Sequence, residues 1–597
     1  MPASPVASAE GVVRVTVTSD GTAVADSLQV ISITVQRSVN TIPQARLEIN
    51  DGDIATGTFA VSDAAQFKPG AVIAIKAGYG DQETQIFEGV VVRHGLHIGD
   101  GNDARLVVEC RDKATKMTIG RKHANYVDQK DSDILATIIG TYGGLTATVT
   151  ATTVQYKELV QYAATDWDFV VTRAEVNGML VVVTDGTVTI APPDTAAEPA
   201  LGVAYGVDLM EFHADMDART QLQSVRATAW DPSNLAIVQG AAAAPPTLNT
   251  QGDLDGSTLA QVASPSSFDL RTPAMLDSST LAAWGKARQV KAGLARIRGS
   301  MRFQGSALAE VGKQIAVDGV GARFNGNVFV SAIRHEIREG NWVTEAQFGL
   351  APDWFAERPD VHEPPAGAWV PAVQGLQIGV VKKLDADPAG QHRVQVSIPV
   401  TGASTDGVWA RLLQFHASNA FGAFFVPEIG DEVLLGYLND DPSQPVILGS
   451  LYGAKHPPPY TLAAENNTKA VVTRSKVKIE IDDKDKVLTI TTPGNNKIVL
   501  SDKDKSILLQ DQNSNKVELG TGGITLDSPK DIKITAKGGI TLDAVNAVSI
   551  TSKADVKGSG LNVSFEAQVG FTGKGSATAE LSASGQTTVK GAMVMIN

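Results

Sequence analysis

The chain reads as a mainly β protein of several domains that is completed only as a homotrimer. Three observations predict this. At 597 residues it is several times the size of one core-bearing domain. Its apolar residues fall largely in short Val/Ile/Thr runs separated by turn residues, with 56 Gly and few aromatics. Beyond residue 478, aliphatic pairs recur at a fixed short spacing with almost nothing else to build a core. A charged fraction of 19% is ordinary for a folded chain.

From 12 to 111 the runs VVRVTV, ISITVQ, ARLEIND, AVIAIKAGY, IFEGVVVRHGL and ARLVVEC alternate apolar and polar residues, which predicts a curved sheet or β-barrel. Helical spacing enters at 131–142 and 165–178. In the second helix Thr165 or Asp166 is the cap, Trp167, Val170, Val171 and Ala174 make the apolar face, and Gly178 is the stop. A small α/β insert is therefore expected. Strands are expected again at 181–190 and from 204 to 350, around an exposed Pro/Ala/Ser/Gly-rich loop at 239–268. The Pro-rich stretch 358–374 reads as a linker. Five or six strands between 375 and 453 suit a small closed barrel of the OB type.

After HPPP at 456–459 the composition shifts to Lys, Asp, Thr, Asn, Gly and aliphatic pairs at i, i+2. These are Ile479/Ile481, Leu488/Ile490, Ile498/Leu500, Ile507/Leu509 and Val517/Leu519, nine or ten residues apart. Ile524/Leu526, Ile532/Ile534, Ile540/Leu542 and Val548/Ile550 follow at steps of eight. Each pair is one face of a short strand. Two aliphatics per block cannot surround a core within one chain, since solenoid coils need about twenty residues or more. Three copies wound about one axis would bury every pair, at about 1.5 to 3 kcal/mol per side chain. The alternatives are a sticky low-complexity tail or a single-chain solenoid. The phase slips by one residue between Val556 and Val563/Phe565, and Phe571, Leu581 and Val589 follow less regularly.

A net charge of −14 argues against a nucleic-acid partner, which needs a concentrated basic surface. Cys110 is the single cysteine and reads as a buried thiol suited to a reducing cytoplasm. The N-terminus MPASPVASAE lacks the features of a signal peptide, and no run approaches the roughly 18 apolar residues that span a bilayer.

The order of these parts resembles the VgrG-like spike proteins of contractile injection systems, which fuse a phage tail hub to a tail spike, and above all the spikes of extracellular tailocin-like particles. The residues that carry the resemblance include LEINDGD (47–53), VECRDKATKMT (108–118), YAATDWDFVVTRAEVNG (162–178), GLQIGVVKKLDADPAGQHRVQVSIP (375–399), PEIGDEVLLGYLNDDP (427–442) with PVILGSLYG (445–453), and VKGAMVMIN (589–597). The resemblance implies a homotrimer. It implies hub barrel domains at 1–122 and 201–357 around an α/β insert at 123–200, the linker 358–374, an OB-fold neck at 375–456, and an intertwined triple-stranded β-helix or β-prism needle at 457–597. It also implies a hexameric inner tube and baseplate proteins as hub partners, transient contact with a target membrane, and cytoplasmic assembly into a released or envelope-anchored particle.

Glu428, Asp431, Glu432, Asp440 and Asp441 could form an acid pair or cation site, as in glycoside hydrolysis. Their Gly-Asp and Asn-Asp-Asp-Pro settings read instead as turns around a buried strand at 433–438. His94 and His97 lack a third metal ligand nearby in sequence. No nucleotide-binding loop, zinc-protease or serine-hydrolase motif is present. Only about two dozen residues separate 453 from 477, too few for the lysozyme domain of phage relatives, and the last histidine, His456, precludes a His-x-His iron apex. The expected role is thus a non-enzymatic spike without cofactor or metal. Met593, Val594, Met595, Ile596 and Asn597 would form an apolar apex for a PAAR-type tip protein. The rivals are a trimeric tailspike-like glycan- or cell-wall-degrading enzyme, and a type VI or phage spike of the same architecture.

Overall fold

The computed structural model describes every residue except 1, 7–10, 26, 102, 403–405 and 597. The chain divides into two compact units, 1–451 and 452–597.

In the first unit the alternating runs of 12–111 and 201–348 join in one 13-stranded sheet. The seam is Val30–Ser38 against Gly326–Arg338, antiparallel, with Ser38 opposite Ala332 and Ser32 opposite Arg338. Each half keeps its own core. One centres on Leu47, Ile49, Phe67, Ile73, Ile75 and Leu106, the other on Met301, Phe303, Val328, Val330 and Ala346. The even alternation of the strands places these side chains on one face.

The insert contains helices α1 (Asp131–Gly140) and α2 (Asp166–Val176). Thr165 caps α2, its Oγ1 accepting from the Asp168 N–H at 3.1 Å, and Trp167, Val170, Val171 and Ala174 are buried. The hairpin Leu180–Thr184/Thr187–Ala191 turns on Asp185 and Gly186, both at positive φ, the conformation that favours Asp-Gly in two-residue hairpins. Asp185 reaches across to the first half of the sheet, accepting from Gln85 Nε2 at 2.8 Å and the Glu88 N–H at 3.0 Å. Fully buried Asp112 accepts from the N–H groups of Ala114 and Gly186. Burial pushes its carboxyl up.

The region expected as strands from 204 to 350 differs. It also holds α3 (Gly256–Ala263) and α4 (Ser278–Leu294), capped by Asp255 and Asp277, with α4 packed on a three-stranded sheet of Val225–Asp231, Ala236–Gln239 and Phe268–Thr272. The buried face of α4 includes the small residues Gly285, Ala287 and Ala292, so its helical period carries little hydrophobic contrast. The loop at 239–268 is not wholly exposed, since Gly240, Gln251, Leu259 and Ala260 are buried. Lys291 of α4 pairs with Glu175 of α2, which also accepts from the Phe355 N–H at 2.6 Å. Part of the 358–374 stretch is docked as well: Val361 is buried, and Arg121 donates to its carbonyl at 3.1 Å.

The strands Gln377–Lys383, Val394–Ser397, Val408–Leu412, Glu432–Tyr437 and Pro445–Ser450 close a barrel around Val381, Val394, Val396, Ala410, Val433, Leu435 and Ile447. Five strands at this length match the expected OB type.

The second unit opens with a seven-stranded antiparallel meander: Thr468–Val472, Lys478–Asp482, Val487–Thr491, Lys497–Ser501, Ser506–Gln510, Lys516–Gly520 and Gly523–Asp527. Its first strand, lacking an aliphatic pair of the repeat type, is not legible in the periodicity. Asp482 and Asp511 close their turns by accepting backbone N–H bonds two to four residues on. Beyond Asp527 no strand pairing occurs among the described residues.

Candidate assembly surface

The polar residues that could carry chemistry are engaged in structure. Asp431 accepts from the Glu428 N–H at 2.9 Å, Asp441 from the Ser443 N–H at 2.7 Å, and Asn439 and Asp440 sit at positive φ in the turn between two barrel strands. Glu432 starts the strand at the barrel wall. His94 bridges Ser62 Oγ at 2.8 Å and the Phe67 carbonyl at 3.0 Å, while His97 lies further along the same strand. Among the described residues no group of three His, Cys, Asp or Glu is placed to hold a metal ion. No helix among them is long and apolar enough to cross a membrane, which leaves strands out of account. Buried Cys110 has its thiol pushed up to about 12 by desolvation.

The surface that stands out is apolar. Each five-residue meander strand from Lys478 onward carries its aliphatic pair at the second and fourth positions, so both side chains project from one face. The antiparallel register then aligns the pairs in two ladders. In one, Ile479 lies opposite Ile490, Ile490 opposite Ile498, Ile498 opposite Leu509, Leu509 opposite Val517, and Val517 opposite Leu526. In the other, Ile481, Leu488, Leu500, Ile507, Leu519 and Ile524 succeed one another in the same way. In the single chain this face is open: Ile479 is 44% exposed, Leu500 41%, Leu509 44% and Ile524 74%. An open groove of about 600 Å³ runs along the first ladder, lined by Ile490, Ile498, Leu509, Val517, Leu526 and Ile532. A contiguous apolar face of this kind marks an interaction surface.

The pairs Ile532/Ile534, Ile540/Leu542 and Val548/Ile550 lie beyond the meander and are likewise exposed. Across 528–596 no main-chain group bonds another within the chain, although the meander satisfies its own backbone strand by strand. Main-chain donors and acceptors that leave water must find partners, and 528–596 supplies none from within itself. Met593, Val594, Met595 and Ile596 are at least half exposed, and Asn597 lies outside the described residues. One apolar stretch escaped sequence reading: Phe415, Phe421, Phe424, Phe425 and Ile429, all exposed, lie on the barrel segment between Leu412 and Glu432. Four Phe within eleven residues is the signal that could have shown it.

Comparison with known proteins assigns these parts to a class. Residues 377–452 match the type VI secretion system/phage-baseplate injector OB domain. The spike protein VgrG4b of the Pseudomonas aeruginosa type VI secretion system is 36% identical over 115 residues, covering 18% of this chain and 14% of that protein. The Vibrio cholerae actin cross-linking toxin VgrG1 is 33% identical over 148 residues, covering 24% of this chain and 13% of that protein. The aligned stretch is thus less than a fifth of each relative's length. Among solved structures, the 43 kDa tail protein of prophage MuSo2 from Shewanella oneidensis superposes at a TM-score of 0.42 and 10% identity, over 57% of this chain and 98% of that one. The chain is VgrG-like. It belongs to the family described as the Alg8 N-terminal domain, which matches residues 9–339, more than half its length.

Proposed function

We propose that this chain is the homotrimeric central spike of a contractile injection particle, a mechanical part that performs no catalysis. The observation that carries the proposal is the pair of uncovered aliphatic ladders on a sheet whose backbone is already satisfied. Three such sheets facing one axis would cover them, each copy supplying the wall that the others lack. From Ile479 to Leu519 the ladder side chains are already about half covered in the single chain, so each gains about 1 kcal/mol from the remaining burial. Along 528–596 the three copies would exchange main-chain bonds as well, which makes that segment an intertwined rod.

In this reading residues 1–357 form a hub that meets the hexameric inner tube and baseplate, the OB barrel forms a neck, and the rod transmits force to a narrow tip facing the target membrane. A PAAR-type cone caps Met593, Val594, Met595 and Ile596. The spike assembles in the cytoplasm and ends in a released or envelope-anchored particle. Support comes from the spike proteins among the relatives and from the injector OB domain. Light scattering with electron microscopy of the full chain tests the proposal. Three chain masses and a rod are expected, and a rodless monomer overturns it. Loss of cap co-purification on deleting 590–597 tests the tip.

A further inference from the structure

The backbone beyond Asp527 bends at regular places: 529–530, 537–538, 545–546, 553–554 and 561, then 568–569, 576–577, 584–585 and 592–593. Steps are eight on both sides, but the interval from 553 to 568 is fifteen, so one of its two coils is a residue short. The side chains show the same slip. Ile532 and Ile534 stand three and five places after the start of their bend, as do Ile540 and Leu542, and Val548 and Ile550. Phe571, Leu581, Val589 and Met595 occupy the same third or fifth places further on. Val563 and Phe565 do so only if their coil is counted from Gly560, whereas the bend at 561 stands eight places after 553 and seven before 568, so the missing residue falls within the two coils 553–567. The later repeat is therefore as regular as the earlier one, and the slip is confined to one turn.

An unbroken eight-residue repeat poses a problem for a trimer. Its layers are chemically alike, so one chain can slide by a whole coil and lose contacts only at the ends. A seven-residue coil removes that freedom. In a chain slid by one coil, the short coil faces a full one, its backbone falls out of step by one residue, about 3.3 Å, and its side chains present the opposite face. In or beside the two coils lie the only aromatics after Tyr460: Phe565 and Phe571, with ring centroids 6.2 Å apart. Phe565 holds the fifth place of its coil, and the fifth places of the coils on either side are Gly558 and Gly573. A bulky ring is thus bracketed along the column by two positions without side chains.

We infer that the two coils 553–567, one residue short of two full repeats, with the rings of Phe565 and Phe571, are the register key of the needle, the place at which three copies of this chain fit in one stagger alone. The partner is two further copies of the same chain, and the inference rests on the trimeric reading above.

The test uses the full chain with Cys110→Ala and Ala579→Cys, unfolded, refolded and oxidised. Ala579 occupies a third place, so aligned copies bring the three introduced thiols into one layer. The parent is expected to refold as a trimer with interchain disulfide in nearly every particle. Inserting one alanine after Ser559 together with Phe565→Leu and Phe571→Leu should keep the trimer mass but lower interchain disulfide at least twofold, because slipped registers separate the thiols. Phe565→Leu/Phe571→Leu without the insertion should give a smaller fall in the same direction. Disulfide yields equal to the parent in both variants overturn the register key. A parent that refolds as a monomer overturns the trimeric reading instead.

Discussion

Leu47 and Leu500 are the same residue in the same kind of strand, yet Leu47 is fully buried and Leu500 is 41% exposed. The contrast holds for their whole regions. Residues 1–451 close several cores of their own, whereas among the described residues beyond 451 no apolar side chain is buried. The strands of 12–111 and 201–348 belong to a 13-stranded sheet that encloses two cores of its own, while those of 468–527 form a seven-stranded meander whose apolar face is open in the single chain. Burial thus depends less on residue type than on how much chain is available to cover each face. The hub spends long excursions between strands on its own cover, and the needle's turns are too short to return over it.

The sharpest way to break this contrast is to place a charge where the proposed trimer would bury it. In that trimer Ile540→Asp would set three carboxylates close to one axis, at several kcal/mol for each buried charge. Limited proteolysis should then digest 528–596 while the hub resists, and intact resistance would count against interchain burial there. Leu500→Ala comes next. If other copies cover Leu500 the substitution costs about 2 to 5 kcal/mol per chain, but at 41% exposure in a lone chain it would cost about 0.5 kcal/mol or less. Thermal unfolding of the rod distinguishes the two.

A third prediction separates hub from needle by pH. His335 is buried, shares a hydrogen bond of 3.0 Å with Thr344 Oγ1, and is pulled down to about 3 by desolvation and the nearby charge of Arg37. Its reference value is 6.5, so between these values the unfolded chain binds a proton that the folded hub refuses. Hub stability should fall as pH drops from 6.5 toward 3, and His335→Gln should flatten that slope. The needle has no histidine after His456, so its unfolding should lack this component. The smallest effect is on Cys110. With its thiol raised to about 12, it should ignore thiol reagents at neutral pH until the hub unfolds, and prompt labelling of the folded protein would contradict the buried placement.

Much of this was legible in the residues because it rests on local pattern. The pairs from Ile479/Ile481 to Ile524/Leu526 announced strands of one orientation, and Thr165 with Trp167 announced α2 and its buried face. Helix α4 was not legible because glycine and alanine on its packed face give no hydrophobic contrast, and Gly285 sits 3.5 Å, measured from an added Cβ, from the Val225 carbonyl. The apparent irregularity after Val556 was a limit of the same kind: side chains alone show a shift of phase, whereas the bends show one short coil between two regular series.

By itself, then, the sequence determined the alternation of strands, the helix caps, the closed barrel and the shortage of apolar residues per repeat, since each is set by neighbours a few positions apart. The tertiary structure alone decided that the two hub halves share one sheet through Val30–Ser38 and Gly326–Arg338, and that the aliphatic pairs stack in ladders. It also decided where the chain ceases to satisfy its own backbone, after Asp527. The shared sheet depends on pairing between residues hundreds of positions apart, and the ladders on the register in which consecutive strands pair, and neither is encoded in a local period.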